Sequence, residues 1–181
     1  MNTRSNLILI GPMGVGKTTH GKWLARQLGK TFVDLDADIE NRTGASIADI
    51  FELEGEAGFR RRESEALARA LSEDGQVIAT GGGAVLNEDN RTLMRQRGLV
   101  VHLHIPPEQQ LQRLANDRKR PLLQSEDRAA RLQQLFEVRT PLYRACADLS
   151  LDLSRMPMSR IRPHLLQAIT EYRTERTIPH A

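Results

Sequence analysis

Short apolar runs alternate with longer stretches of helical periodicity along most of the 181-residue chain. The run Leu7-Ile8-Leu9-Ile10 predicts a strand over 7–10, and the amphipathic stretch behind it a helix over 17–28 that Gly29 stops. A second strand is expected over 32–35, then a helix over 36–42 closed by Gly44. Another helix opens at Ser46, where Asp49 three residues on makes a partial capping box, and a longer one covers 56–71. Strands follow over 76–80 and 99–105, the second ended by Pro106-Pro107, which start a helix. The remainder reads as a polar loop over 117–127, a helix over 128–145, a strand over 148–153 and a helix over 160–172.

Strands that alternate with helices predict an α/β fold: a five-stranded parallel sheet with helices on both faces, which places ligands at the carboxyl ends of the strands. Strand order is not readable from local pattern. Three segments with chemical potential fall at such ends, namely the glycine-rich run 11–18, Asp34 with Asp36, and Gly81-Gly82-Gly83.

Composition narrows the class without changing the fold. Hydrophobic residues make up 39% and charged residues 27%, as expected for one globular domain. No apolar stretch approaches a membrane-spanning length, so a cytoplasmic protein with no membrane partner is expected. Cys146 is the sole cysteine, which rules out an internal disulfide and suits a reducing compartment. The charge of +3 comes from 26 basic and 23 acidic residues spread along the chain, and only 4% are aromatic. That argues against a nucleic-acid partner, and the small excess suits a cleft for anionic small molecules. His102 and His104 share one strand face but have no third metal ligand in view. Trp23 and Tyr143 read as helix packing, and the absence of heptads points to a monomer.

The decisive motif is Gly11-Pro12-Met13-Gly14-Val15-Gly16-Lys17-Thr18, a complete phosphate loop placed between a strand and a helix. Its glycines let successive backbone N–H groups turn inward around the β-phosphate. Lys17 can lie along the β- and γ-phosphates, and the Thr18 hydroxyl can take a Mg²⁺ position. The plain alternative is a glycine turn joining strand to helix.

The remaining candidates describe a second substrate. If the second strand runs to Asp36, alternation puts Asp34 and Asp36 on one side, one carboxylate for the metal and one for a substrate hydroxyl. The alternative is a helix cap at Asp36, with Asp34 merely solvated. On the helix beyond, Phe59, Glu63, Ala66 and Ala70 mark the inward stripe, and a glutamate there needs a partner, which Arg60 supplies three residues away. Arg61 and Arg62 then face outward. Arg139 is in phase with Leu132, Leu135, Phe136 and Tyr143, so it snorkels or finds an anion. Two inward guanidinium groups suggest a carboxylated substrate, although structural ion pairs would explain them too. The triple glycine lets a substrate approach backbone N–H groups. The loop with Arg118, Lys119 and Arg120 can serve as a water-excluding cover or simply as an exposed charged loop.

These segments jointly resemble the shikimate kinase family, small P-loop kinases of the nucleoside-monophosphate-kinase type. The resemblance runs from about Leu7 to Leu153 and is carried by the phosphate loop and six further segments. They are Phe32-Val33-Asp34-Leu35-Asp36, Arg42-Thr43-Gly44 with Ser46 to Phe51, Gly55-Glu56 with Phe59-Arg60, the triple glycine, Arg120-Pro121-Leu122-Leu123, and Arg139-Thr140-Pro141-Leu142-Tyr143. It implies a three-layer P-loop sandwich with a mobile lid over about 115–127, substrate-binding helices over about 36–64 and a frayed tail over 174–181. It implies transfer of the ATP γ-phosphate to the 3-hydroxyl of shikimate, on the route to chorismate. Asp36 would hold the shikimate hydroxyls and act as base, Arg60 and Arg139 would clamp the carboxylate, and Gly82, with Gly81 and Gly83, would offer backbone. Glu63 would support the pocket and Phe51 and Phe59 would wall it. Gly14, Val15, Gly16, Lys17, Thr18 and Thr19 would cradle the phosphates, Asp34 would reach Mg²⁺ through water beside Thr18, Arg120 would be the lid arginine, and Arg113 and Arg155 would flank the adenine. Leu35 departs from the small hydroxyl residue that many relatives carry between the two aspartates. A gluconate kinase, or a nucleotide-binding module without catalysis, are the competing readings.

Overall fold

The computed structural model describes residues 5–117, 121–123 and 127–175. Those residues form five parallel strands: β1 (Asn6–Ile10), β2 (Thr31–Asp34), β3 (Gln76–Ala79), β4 (Gly98–His104) and β5 (Leu149–Asp152), in the spatial order β2-β3-β1-β4-β5. Around them lie α1 (Lys17–Gln27), α2 (Leu35–Thr43), α3 (Ile47–Ser72), α4 (Glu88–Arg97), α5 (Pro107–Arg113), α6 (Arg128–Cys146) and α7 (Met158–Glu175). None of the described helices is long and apolar enough to cross a membrane.

Alternation along β1 explains the three layers. Ile8 and Ile10 point into a core built with Ile78, Val100, Leu35, Phe59, Leu67 and Tyr143, which faces α2, α3 and α6. Leu7 and Leu9 point the other way, into a core with Val77, Val101, Leu24, Leu165 and Ile169, which faces α1 and α7. Both faces are covered, so β1 reads as an unbroken apolar run. The strand order also fixes the site. With β1 central and β3 beside it, the loop after β1 and the glycines after β3 emerge next to each other, and β2 brings Asp34 to the same edge.

Two expectations are corrected. The second strand ends at Asp34, one residue before the Leu35 expected and short of the Asp36 that alternation was carried to, because the Asp34 side chain caps α2 by accepting from the Asp36 and Ala37 N–H groups at 3.1 and 3.3 Å. Strand alternation therefore does not relate the two carboxylates; Asp36 stands in the first turn of a helix. The two helices expected over 46–71 are both present: they run together as α3 and are divided by a kink at Gly55, whose φ of 69° interrupts the helical backbone. Its start carries the full capping box, with Ser46 N–H donating to Asp49 at 3.1 Å and Asp49 N–H to Ser46 Oγ at 3.1 Å. Finally, α4 was absent from the sequence pattern because it is strongly polar. Its cues were local: Asn87 caps it at 2.8 Å from Asp89 N–H, with acids in the first turn and Arg95 and Arg97 in the last.

Two buried histidines carry a consequence for stability. His20 on α1 and His102 on β4 are nearly inaccessible, and burial, helped by nearby cations, lowers both from 6.5 to about 4. The unfolded chain takes up protons at these sites near pH 6.5 while the folded chain resists them. Stability is thus fully present above pH 6.5 and falls as the pH drops toward 4, by at most about 1.4 kcal/mol per pH unit for each histidine. Urea midpoints measured between pH 7 and 4.5 are expected to show this decline, and His102→Gln to make it shallower. Glu63, whose carboxyl burial pushes up, works in the opposite direction, so the difference between variant and parent isolates the histidine.

Candidate active site

The phosphate loop leaves the centre of the sheet with Gly11, Gly14 and Gly16 at φ values of 140, 76 and 98°, a path closed to side-chain-bearing residues. Gly16 caps α1, so the helix begins at Lys17 and aims its N-terminus at the loop's hollow. The Lys17 ammonium donates to the Gly11 and Pro12 carbonyls at 2.7 and 2.8 Å, which curls its stem along the loop. Thr18 Oγ1 donates to Asp34 Oδ2 at 2.6 Å. Arg113, at the end of α5, donates to the Gly14 carbonyl at 3.3 Å and so braces the loop from outside. Val15 buries its side chain in the core and contributes backbone alone. A cavity of about 290 Å³ lies over this floor, lined by Gly14, Gly16, Lys17, Thr18, Thr19, Asp34, Asp36 and Arg113.

A second cavity, of about 260 Å³, opens beside it. Asp36, Arg60, Glu63, Arg139 and the three glycines line it, with Phe51 and Phe59 as an apolar wall whose ring centroids are 4.8 Å apart. Met13, Asp36, Gly81 and Gly82 line both cavities, so the two join at the Asp36 carboxylate.

Charge in the second cavity is arranged unequally. Glu63 is fully buried and accepts from Arg60 Nη1 at 2.6 Å, while Arg60 also reaches Glu56 at 3.0 Å. Burial pushes the Glu63 carboxyl up against the pull of Arg60. Burial would lower Arg60, but its two glutamates outweigh that and raise it. For Arg139 the neighbouring Tyr143, Glu56 and Glu63 do not outweigh burial. Arg139 is 4% exposed, forms no salt bridge among the described residues, and burial, together with the Arg60 charge, lowers its pKa. A desolvated guanidinium without an anion is a site prepared for one.

The glycines after β3 have a reason that the sequence did not reveal. A Cβ on Gly81 would run into the Glu63 carboxylate, and one on Gly83 into the Arg60 guanidinium. At Gly82 a Cβ would meet only ordinary contacts, with Arg139 at 3.5 Å and Met13 at 3.6 Å. Two of the three glycines therefore make room for the charged pair, and the middle one faces the cavity.

The outward placement of Arg62 holds, since it pairs with Glu54 at 2.5 Å on the surface. Arg155 is exposed beyond β5 and lines neither cavity. Arg120 lies outside the described residues, although Pro121 and Leu122 beside it line the second cavity. Reasoning from sequence missed Met13, Glu40, Ile47 and Thr80 as lining residues. Met13 occupies a free position of the motif and gave no signal. His102 is packed against Tyr143, and no group of three metal-ligating side chains occurs among the described residues. Cys146 is buried, with its thiol pushed up to about 11 by desolvation, which suits an inert core residue.

Comparison with known proteins agrees with this geometry. A family model described as shikimate kinase matches residues 13–170. A shikimate kinase from Thioalkalivibrio sulfidiphilus is 50% identical over 95% of this chain and 88% of its own. One from Methylococcus capsulatus is 49% identical over 97% of this chain and 100% of its own. Among solved structures, a shikimate kinase from Acinetobacter baumannii in complex with shikimate superposes with a TM-score of 0.89 at 46% identity, covering 93% of this chain and 94% of that one. A gluconokinase from Sinorhizobium meliloti shares only the fold, with a TM-score of 0.61 at 15% identity over the full length of both chains. With a family match across most of its length and relatives near half identical, the chain belongs to the shikimate kinase family.

Proposed function

We propose that the two joined cavities hold the donor and acceptor of one phosphoryl transfer, ATP over the phosphate loop and shikimate in the adjoining pocket. The observation that carries this reading is the position of Asp36, which lines both cavities. A pocket of about 260 Å³ suits a compact acid, being at the lower edge of the roughly 300–1,000 Å³ of drug-sized sites.

Within this reading, Arg139 and Arg60 hold the shikimate carboxylate, Phe51 and Phe59 pack on the ring, and Gly82 offers its N–H. That leaves the hydroxyls toward Asp36. Its carboxylate orients the 3-hydroxyl and takes its proton as the oxygen bonds to the γ-phosphorus, while the bond to the β-phosphate oxygen breaks and ADP leaves. Lys17 and the loop N–H groups, from Gly14 to Thr19, neutralise the transferring charge. Glu63 keeps Arg60 aimed inward. We assign Arg120 to the lid over about 115–127, Arg113 and Arg155 to the adenine side, and the whole chain to a single cytoplasmic domain acting as a monomer.

Mg²⁺ fits the residues present. Thr18 Oγ1 and the Asp34 carboxylate are hard oxygen donors held together on the rim of the phosphate cavity, the ligand chemistry that this ion prefers. We assign Thr18 to direct ligation and Asp34 to contact through water. When bound, the ion would screen the phosphate oxygens and lower the charge barrier to attack.

The crowding at the glycines supplies one prediction. Gly83→Ala is expected to displace the Arg60 guanidinium and to raise the shikimate KM by about tenfold, the scale of weakening one hydrogen bond to a charged group. The ATP KM should stay close to that of the parent, and steady-state kinetics with each substrate varied in turn reads both. The reading as a whole is tested by a coupled ADP-release assay offering shikimate, gluconate and nucleoside monophosphates separately. Turnover should depend on shikimate; turnover without it, or a preference for gluconate, would contradict the assignment.

A further inference from the structure

Tyr143 lies behind the pocket and does not line either large cavity, yet it touches the parts that would hold the carboxylate. It is four residues after Arg139 on α6, so the two side chains project from the same face. Its hydroxyl donates to the Gly82 carbonyl, and the Arg139 guanidinium faces the same phenolic oxygen. Arg139 in turn packs against Gly82, at 3.5 Å from where a Cβ would stand. On its other side the tyrosine ring stacks on His102, with centroids 5.1 Å apart and planes 23° from parallel. Tyr143 is 2% exposed, His102 1% and Arg139 4%.

These contacts leave the tyrosine little freedom. His102 belongs to β4, whose place in the sheet is set by pairing with β1 and β5, so the stack fixes the phenol against the rigid centre of the fold. A hydroxyl held this way orients Gly82 by its carbonyl, and a glycine has no side chain of its own to fix its backbone. The same oxygen gives the long Arg139 side chain a neutral acceptor, which orients the guanidinium without cancelling the charge needed for a substrate anion.

We infer that Tyr143 is a positioning residue for carboxylate recognition: its hydroxyl fixes Arg139 and the Gly82 backbone relative to each other, so that both engage one acid group. This assignment rests on the reading of Arg139 as a carboxylate ligand. It predicts a defect specific to the charged end of the acceptor. The donor site, which shares the Gly82 lining but neither arginine, should be spared.

The test compares shikimate with its methyl ester, which keeps the ring and hydroxyls but lacks the charge, in the parent, Tyr143→Phe and Arg139→Ala enzymes. Phenylalanine preserves the ring and its stack on His102. Tyr143→Phe is expected to raise the shikimate KM about tenfold, on the scale of one hydrogen bond at a charged group, and to leave the ester KM, the ATP KM and kcat within about twofold. The preference for acid over ester falls accordingly. Calorimetric titration of shikimate without ATP, well below each variant's unfolding midpoint, gives the same comparison independently of turnover. If Tyr143→Phe melts earlier but keeps the acid preference, or raises both substrates' KM values equally, the tyrosine is merely structural and the inference is overturned. If Arg139→Ala itself leaves the preference intact, the reading of Arg139 fails and the tyrosine assignment with it. Loss of the preference in Arg139→Ala but not in Tyr143→Phe removes the tyrosine assignment alone.

Discussion

Asp36→Asn is expected to lower kcat by at least about 100-fold, the lower end of what a positioned general base supplies. The substitution is nearly isosteric and keeps a hydrogen bond to the acceptor hydroxyl, so the shikimate KM should change far less than kcat. It should not unfold the chain, because the residue that caps α2 is Asp34 and not Asp36. The physical setting makes the test sharp. Asp36 stands in the first turn of a helix and lines both cavities. A kcat loss of only a few-fold would mean that the loose transition state of phosphoryl transfer needs positioning from Asp36 and no proton acceptance. Steady-state kinetics with thermal unfolding of the same preparation separates the two outcomes.

Arg139→Ala should raise the shikimate KM by about 10- to 100-fold, the cost of losing a charged hydrogen-bond partner in a desolvated site. Arg60 remains, but it already shares its charge with Glu63 and Glu56, whereas Arg139 forms no salt bridge among the described residues. The parent site therefore loses its unbridged cation, and the remaining one is partly spent. ATP binding without shikimate should be nearly unchanged, since Arg139 does not line the donor cavity. Nucleotide titration alongside acceptor kinetics checks both halves, and a collapse of ATP binding would show that Arg139 supports the phosphate loop instead.

Much of this site was legible because its chemistry depends on local pattern. The phosphate loop is contiguous, and helical phase alone separated Arg60 and Glu63 from Arg61 and Arg62. Arg139 was found in the same way, as a cation out of place on an apolar face. The errors arose where the local rule competed with another. Alternation was carried past the strand's expected end to relate Asp34 to Asp36, but the capping strength of Asp34 had already begun the helix. The polar helix α4 hid because its burial is slight, with only Asn90 and Met94 inside, so apolar periodicity had little to register. The role of Gly81 and Gly83 was invisible in principle. It depends on side chains from α3 that reach them only once the sheet order is set. Tyr143 was read as packing, which is half of its environment; the contact with Gly82 joins residues 61 apart in sequence.

The proposed transfer requires that one carboxylate, Asp36, stand at the join of a nucleotide cavity and an acid-binding pocket. A crystal structure of the protein with ADP and shikimate tests it most directly. The nucleotide phosphates are expected over Gly14 to Thr19, the shikimate carboxylate between Arg60 and Arg139, and the 3-hydroxyl within hydrogen-bonding distance of Asp36. Shikimate bound with its carboxylate away from both arginines, or with its 3-hydroxyl turned from Asp36, would contradict it.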